Sequence, residues 1–135
     1  MFTAAECHSR YEITLETYAK HIHIDASTML EMVSRSLLPA GYEYLSHISR
    51  AEYYAEQNGC ASASAQALLE KLCVTLDRAA GAMEALRRAL RALDEAELDE
   101  KQRANACRSL REHEMNALRT VVDDLVGDLV YARLT

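Results

Sequence analysis

Residues 69–93, LEKLCVTLDRAAGAMEALRRALRAL, carry the pattern that decides the fold of this chain. Apolar side chains return at every third or fourth position without a break, at Leu69, Leu72, Leu76, Ala79, Met83, Leu86, Leu90 and Leu93. Charged residues fall between them, so the stretch predicts an amphipathic helix with one continuous apolar seam. A helix of about 30 residues is about 45 Å long at 1.5 Å per residue.

Three other stretches repeat this spacing. Their stripes are Tyr11, Leu15, Tyr18 and Ile22; Met29, Val33, Leu37, Ala40, Tyr44, Ile48, Ala51 and Ala55; and Met115, Leu118, Val122, Leu125, Leu129 and Ala132. Burying one leucine is worth about 1.5–3 kcal/mol, so the helices should pack side by side. The sequence predicts an all-α, antiparallel up-down bundle of about four long helices in one domain, residues 1–135. The helices are expected at roughly 4–22, 26–57, 63–94 and 99–133.

Polar residues suggest where these helices begin and end. Asp25 is a suitable N-cap for the second helix. Asn58-Gly59 suits a left-handed C-terminal cap. The fourth helix has two possible starts, because Asp94 with Glu97 and Asp99 with Gln102 are both plausible capping pairs.

Pro39 lies inside the predicted second helix. The apolar stripe keeps its phase on both sides of it, so we expect the helix to continue with a kink. The alternative is a true break, since residues before proline avoid the helical region.

Composition narrows the class of protein. Half of the 135 residues are hydrophobic, with only four Gly and one Pro, which is typical of a helical globular domain. The net charge of −6 argues against a nucleic-acid partner. Arg87, Arg88 and Arg91 form a small basic cluster, but acidic neighbours make a solvated helix face the favoured interpretation.

The four cysteines, Cys7, Cys60, Cys73 and Cys107, are widely scattered and form no CxxC pair. Without a signal peptide or a long apolar run, the expected setting is reduced and cytoplasmic, with no membrane partner. The cysteines are interpreted as small buried apolar residues.

Candidate chemistry is sparse. His21-Ile-His23 is the one metal-like feature, but on a helix its rings lie on different faces, so a polar helix joint is favoured. Glu112-His113-Glu114 is interpreted as a solvated face. No Glu-x-x-His pair, nucleophile elbow or phosphate-binding glycine loop is present. We therefore expect no catalytic, cofactor-binding or metal-binding residue in this chain.

Four tyrosines share the second predicted helix. Tyr42, Tyr44, Tyr53 and Tyr54 could form a stacking platform. Because they lie on the same helix as an apolar stripe, packing in and around the core is the favoured interpretation.

The first forty residues carry a more specific string. It comprises Phe2-Thr3-Ala4-Ala5-Glu6, Ser9-Arg10-Tyr11-Glu12-Ile13, Leu15-Glu16, Tyr18, Ile24-Asp25-Ala26, Thr28-Met29, Met32, Leu37-Leu38-Pro39-Ala40 and Tyr44. This string resembles the opening of the C-terminal helical region of type III glutamine synthetases. Later matches are looser, at Leu69-Glu70-Lys71-Leu72, Met115, Leu118-Arg119 and Asp123.

The resemblance implies a function for a larger protein. Enzymes of that family ligate ammonia to glutamate using ATP and a divalent metal, Mg or Mn, and assemble as homo-oligomers. Their catalytic residues lie in a preceding domain, so none is carried over to this chain. The resemblance implies an accessory or assembly domain, partnered by the catalytic domain and neighbouring subunits. Met1 stands where the family has mid-chain sequence, which suggests an excised piece.

One difference from the family leaves a rival function open. The family ends in an aromatic, proline-rich tail, whereas this chain ends Tyr131-Ala132-Arg133-Leu134-Thr135. The rival is a free-standing helical adaptor that binds a partner helix or itself through its seams. If the chain is a domain of a larger enzyme, we expect the first segment, with Tyr11 and Tyr18, to leave apolar surface bare and to promote a two-fold dimer.

Overall fold

The computed structural model describes the backbone of residues 1–134 and the side chains of residues 1–129. Helices hold 91% of the described residues, which confirms the all-α class. There are three continuous helices, over residues 4–57, Ala63–Glu95 and 100–134, so the prediction of about four long helices is wrong. The placement of Ala132 in the last stripe and the differing end at residues 131–135 lie outside the described side chains.

The error in helix number lies at residues 22–26. The stretch is helical throughout, inside Ala4–Met32, and Asp25 is an exposed residue of the helix interior rather than an N-cap. A capping residue by itself does not stop a helix, and no glycine or proline interrupts His21–Asp25. Burial of Ile22 and Ala26 on one face keeps the helix continuous across the expected joint.

Two π-helical turns, Val33–Leu37 and Arg111–Met115, let the long helices stay continuous. Val33 and Leu38 are both buried although they stand five positions apart, and so are Leu110 and Met115. Five positions of α-helix would put the two side chains on different faces, whereas a π turn stacks residue i over residue i+5. The backbone N–H of Leu38 accordingly donates to the carbonyl of Val33.

Pro39 follows the first π turn directly, at the start of Leu38–Gln57. The helix continues through the proline, and no loop interrupts it. A π turn, Val33–Leu37, lies just before the proline, and the expected kink of the helix axis stays a prediction. Each wide turn absorbs one extra residue in the apolar spacing, which keeps both sides of the helix facing the core.

The helix ends follow local polar chemistry. Gly59 has φ 73°, and the N–H of Cys60 donates to the carbonyl of Ala55 at 2.8 Å, so the predicted left-handed cap at Asn58-Gly59 is confirmed. Of the two possible starts for the last helix, Asp99 with Gln102 forms the capping box, with N···O distances of 2.7 and 3.3 Å. Asp94 belongs to the preceding helix, Ala63–Glu95.

The three helices pack in an up-down-up order. The second helix runs antiparallel to the first, because Asp94 lies beside His23 and Leu76 lies beside Gly41. The third runs parallel to the first, since Cys107 contacts Ala19 and Leu125 lies near Gly41. No helix in the described part of the chain is long and apolar enough to cross a membrane.

The seam of the second helix forms the centre of the core. Leu72, Leu76 and Leu86 are each at most 1% exposed, and Leu118 and Leu125 of the third helix are 0% exposed. The predicted stripe over residues 69–93 is therefore confirmed as the core-facing side. Thr75 is the buried polar residue among those described, and its hydroxyl donates to the carbonyl of Lys71 at 2.9 Å.

Gly41 allows the first helix to approach this core closely. A Cβ atom at this position would lie 2.5 Å from Cδ2 of Leu76 and 3.5 Å from Cδ1 of Leu125. Both leucines are fully buried and cannot move aside into solvent. By contrast, a Cβ atom at Gly81, also within a helix, would meet nothing within 4 Å.

We expect Gly41→Ala and Gly81→Ala to shift stability in opposite directions. Overpacking against Leu76 costs about 1–3 kcal/mol, which outweighs the gain of about 0.5–1 kcal/mol from replacing a helical glycine. Gly81→Ala should only stabilise the folded chain, because an added methyl group there meets no neighbouring atom. Urea unfolding followed by circular dichroism measures both. Equal stabilisation by the two substitutions would contradict the close packing at Gly41.

Candidate interaction surface

The first helix begins well before its partners. Every residue from 1 to 14 is exposed, and the first half-buried side chain is Leu15. We call residues 1–14 the projecting segment. Its helical part, residues 4–14, extends about 16 Å at 1.5 Å per residue. A Thr3–Glu6 capping box starts the helix, with N···O distances of 3.1 and 2.8 Å.

One face of the projecting segment continues the core-facing side of the helix. Tyr11 is 51% exposed, while Ile22 on the same face is 2% exposed. Leu15 and Tyr18, between them, are half-buried. The stripe predicted for this segment therefore enters the core only at its C-terminal end, and its N-terminal end is bare. In register with the buried Ile22 and Ala19, this face carries Leu15, His8 and Glu12, with Ala4, Tyr11 and Tyr18 beside them.

The opposite face also bears apolar side chains. Ile13 and Ile24 are 58% and 60% exposed and stand eleven positions apart, or about three helical turns. They point away from the second and third helices. Sequence reasoning missed these two residues because they belong to no stripe, and single exposed apolar residues are common on protein surfaces.

Charged side chains of the projecting segment are already engaged within their own helix. His8 Nε2 lies 3.0 Å from Glu12 Oε1, and the Arg10 guanidinium lies 3.7 Å from the centre of the Phe2 ring. Glu6 accepts the N–H of Thr3 in the capping box. His8 and Glu12 stand at heptad spacing from the buried Ile22 and Ala19, so this ion pair lies on the same face of the helix.

The bundle closes beside residues 19–23. His23 Nε2 and Asp94 Oδ1 are 2.9 Å apart, which ties the first helix to the end of the second. The Cys107 thiol donates to the carbonyl of Ala19 at 3.8 Å. His23 is half-buried whereas His21 is exposed, so the two rings lie in different environments. Within the described residues, no group of three or more His, Cys, Asp or Glu is placed to hold a metal ion.

The other charged clusters lie on the surface. Glu112 pairs with Arg108 at 3.0 Å, and His113 Nδ1 lies 2.9 Å from the carbonyl oxygen of Ser109. The hydrogen bond to Glu112, and then its negative charge, raise the pKa of the Arg108 guanidinium above its ordinary value. Arg87 pairs with Glu84 at 2.9 Å. Arg88 and Arg91 are exposed, consistent with a solvated face.

The tyrosines do not form a platform. Tyr44 packs against the core, while Tyr42, Tyr53 and Tyr54 are 48%, 58% and 60% exposed. Tyr53 and Tyr54 meet edge to face, with ring centres 5.6 Å apart. Packing in and around the core therefore describes Tyr44, and the other three remain largely in solvent.

A shallow groove of about 420 Å³ lies between the first and third helices, lined by Tyr18, Arg108, Arg111, Glu112 and Asn116. It is open to solvent along its length, and one of its two arginines is already paired with Glu112. A second groove of about 300 Å³ includes Glu16, His23, Glu100 and Cys107. Glu100 is the first residue of the third helix, so this helix begins beside Glu16 of the first.

The similarity of this chain to known proteins is confined to the first helix and the three residues before it. The family model of the glutamine synthetase C-terminal domain matches residues 1–55. Residues 1–55 are therefore similar to the C-terminal domain of glutamine synthetases. A glutamine synthetase from Butyrivibrio fibrisolvens is 44% identical over 50 residues, which are 37% of this chain and 7% of that protein. A search of solved structures finds no significant match.

The glutamine synthetase resemblance seen in the sequence is therefore confirmed over the N-terminal part. The matched range coincides with the first helix, residues 4–57, and includes the whole projecting segment. The second and third helices lie outside the matched range. The part of the chain with recognisable ancestry is thus the part that extends beyond the bundle.

The cysteines depart from expectation. Cys7, Cys60 and Cys73 are exposed, and only Cys107 is buried; none forms a disulfide among the described residues. The prediction that all four are buried is wrong for three of them. Cys73 falls between seam positions of the second helix, and Cys60 follows a helix cap. Burial raises the pKa of the Cys107 thiol, although the charge of Arg103 lowers it in part.

We expect three thiols of the folded chain to react quickly with Ellman's reagent at neutral pH. The fourth, Cys107, should react only on unfolding, because it is shielded and its raised pKa leaves little thiolate. Stopped-flow absorbance counts the fast thiols. Cys107→Ser should leave the fast count at three; a drop to two would show that Cys107 is accessible.

Proposed function

We propose that this chain is the C-terminal accessory domain of a type III glutamine synthetase and serves in assembly rather than catalysis. The observation that carries the proposal is the match of residues 1–55 to a glutamine synthetase C-terminal domain. The matched range contains one long helix whose N-terminal end, up to residue 14, is exposed. Type III is the class whose sequence string the segment resembles.

The proposed role follows from the shape of the first helix. Its C-terminal part packs on the second and third helices, and its N-terminal part, up to residue 14, is exposed to whatever surrounds the domain. A helix anchored at one end and bare at the other suits a connection between bodies. Its proposed partners are the catalytic domain of the enzyme and the neighbouring subunits of a homo-oligomer.

In this proposal, the chemistry belongs to the catalytic domain of the parent enzyme. ATP and a divalent metal, Mg²⁺ or Mn²⁺, are bound there, and ligation of ammonia to glutamate takes place there, in the cytoplasm. This chain supplies no residue to that reaction. Its aligned segment covers 7% of the Butyrivibrio fibrisolvens relative, so the activity of the whole protein is part of the proposal.

The decisive experiment asks which polypeptide contains this chain in the cell. An antibody raised against it should detect a polypeptide several times heavier than 15.1 kDa that co-purifies with glutamate–ammonia ligase activity. A free 15 kDa species that separates from that activity would contradict the proposal and favour a helical adaptor.

We expect the isolated chain not to bind Mg-ATP. Nucleotide phosphates are usually held by clustered backbone amides or converging cations, and the arginine-lined groove beside Tyr18 is shallow and partly neutralised by Glu112. Isothermal titration calorimetry tests this expectation. Specific micromolar binding would show that the domain takes part in nucleotide recognition.

A further inference from the structure

The turn after the first helix places an asparagine directly before a glycine, at Asn58-Gly59. It lies between the helix that contains the family match and the second helix, which begins at Ala63. Both residues are exposed, and a Cβ atom at Gly59 would meet nothing within 4 Å. Asparagine is a thermally labile residue, and a glycine after it leaves the backbone nitrogen open to close approach. The turn is therefore a chemically reactive point of the chain.

The reaction that this pair supports is loss of the side-chain amide. The Gly59 nitrogen, once its proton has passed to water, attacks Cγ of Asn58, and the new N–C bond closes an imide ring. The bond from Cγ to Nδ2 breaks, and Nδ2 leaves as ammonia with a proton taken from solvent. Water then adds to either imide carbonyl carbon and reopens the ring, which leaves aspartate or its β-linked isomer. Water is the co-reactant, and nothing is oxidised or reduced.

The folded cap holds the reacting groups apart. Asn58 has ψ 5°, so the Gly59 nitrogen eclipses the backbone nitrogen of Asn58, whereas ring closure requires it to lie over Cβ. The Gly59 N–H donates to the carbonyl of Glu56 at 3.0 Å, which hinders loss of its proton. Nδ2 of Asn58 donates to the carbonyl of Tyr54 at 2.9 Å, which fixes the side chain.

Ring closure therefore requires the cap to open first. The chain must turn about ψ of Asn58, and the hydrogen bonds to Glu56 and Tyr54 must break. Helix ends open more readily than helix interiors, so this step needs no global unfolding. A hydrogen bond of ordinary strength lowers the open fraction by about fivefold, and two such bonds lower it by about twentyfold.

The product favours the open cap. The acid formed from Asn58 has no N–H to donate to the carbonyl of Tyr54. Its negative charge lies at the C-terminus of a helix, where the helix dipole disfavours an anion. The β-linked isomer also adds a backbone carbon before Gly59, which changes the spacing of the N–H groups of Gly59 and Cys60 that form the cap. The modification is therefore one-way in its effect on the turn.

We propose that Asn58 is a deamidation site gated by the helix cap. It is unreactive while the cap is closed, and its modification irreversibly loosens the joint between the first and second helices. This chemistry belongs to the turn itself and does not depend on the proposed function of the chain.

Mass spectrometry of the digested full chain, after incubation at mildly alkaline pH, tests the gating. Amide-to-acid conversion at Asn58 should be at least about tenfold slower in the folded chain than in the same chain unfolded in urea. Asn105-Ala106 and Asn116-Ala117 lie within the third helix and are internal controls that should stay unmodified in the folded chain. Equal rates at Asn58 in the folded and unfolded chains would overturn the proposal, as would an unfolded chain that keeps this amide.

A matched pair of variants at Cys60 tests whether the cap is the gate. The N–H of Cys60 donates to the carbonyl of Ala55 at 2.8 Å; Cys60→Pro removes this N–H and Cys60→Ala keeps it. Cys60→Pro should speed conversion at Asn58 by about fivefold, and Cys60→Ala should change it by less than about twofold. Both should keep the wild-type circular dichroism spectrum, because residue 60 lies outside the helices. Equal rates in the two variants would count against the cap as the gate.

Hydrogen exchange tests the effect of the product. Asn58→Asp supplies the acid, and Asn58→Ala removes the same hydrogen bond without adding a charge. The amides of Gly59 and Cys60 should exchange about two- to fivefold faster in Asn58→Asp than in Asn58→Ala, because only the former places an anion at the helix end. Exchange in Asn58→Asp that is no faster than in Asn58→Ala would contradict the loosening of the joint.

Discussion

The burial of one leucine seam holds the molecule together. Leu72, Leu76, Leu86 and Leu90 of the second helix pack between the two other helices, and each is less than a tenth exposed. A fully buried leucine contributes about 1.5–3 kcal/mol relative to an exposed one. Neither outer helix would be stable without this shared face, because isolated helices gain little stability from propensity alone.

Packing of the first helix on this leucine seam also explains how the projecting segment can be helical without tertiary contacts of its own. The unfavourable step in helix formation is nucleation, and the packed part of the first helix supplies the nucleus. Extension to Ala4 then requires only local support. The Thr3–Glu6 capping box, the His8–Glu12 pair and the Glu16–Lys20 pair at 3.0 Å supply it.

The part of the chain that is similar to a known family is not the part that forms the centre of the core. The match to the glutamine synthetase C-terminal domain ends at residue 55, near the end of the first helix at Gln57. Stability, however, depends most on the second helix, which lies outside that range. The first helix is therefore divided as well: its C-terminal part completes the core, whereas residues 1–14 before and along its N-terminal end are exposed.

The sequence by itself determined the helical class, the core-facing seam over residues 69–93, the Asn58-Gly59 cap and the glutamine synthetase resemblance. These features depend on residue spacing, on backbone chemistry at a glycine, or on a string of identities, and all three can be read locally. Of the candidate surface, the sequence identified Tyr11 and Tyr18 but could not show that Tyr11 lies in solvent and Tyr18 at the edge of the core.

Only the tertiary structure decided how many helices there are and where the first one becomes bare. Asp25 has the chemistry of a cap, yet burial of Ile22 and Ala26 keeps the helix continuous across it. The five-residue steps from Val33 to Leu38 and from Leu110 to Met115 became π turns because both ends of each step face one core. Whether an apolar face is buried depends on how far the partner helices extend beside it. The spacing of residues within one helix carries no information about the length of its partners.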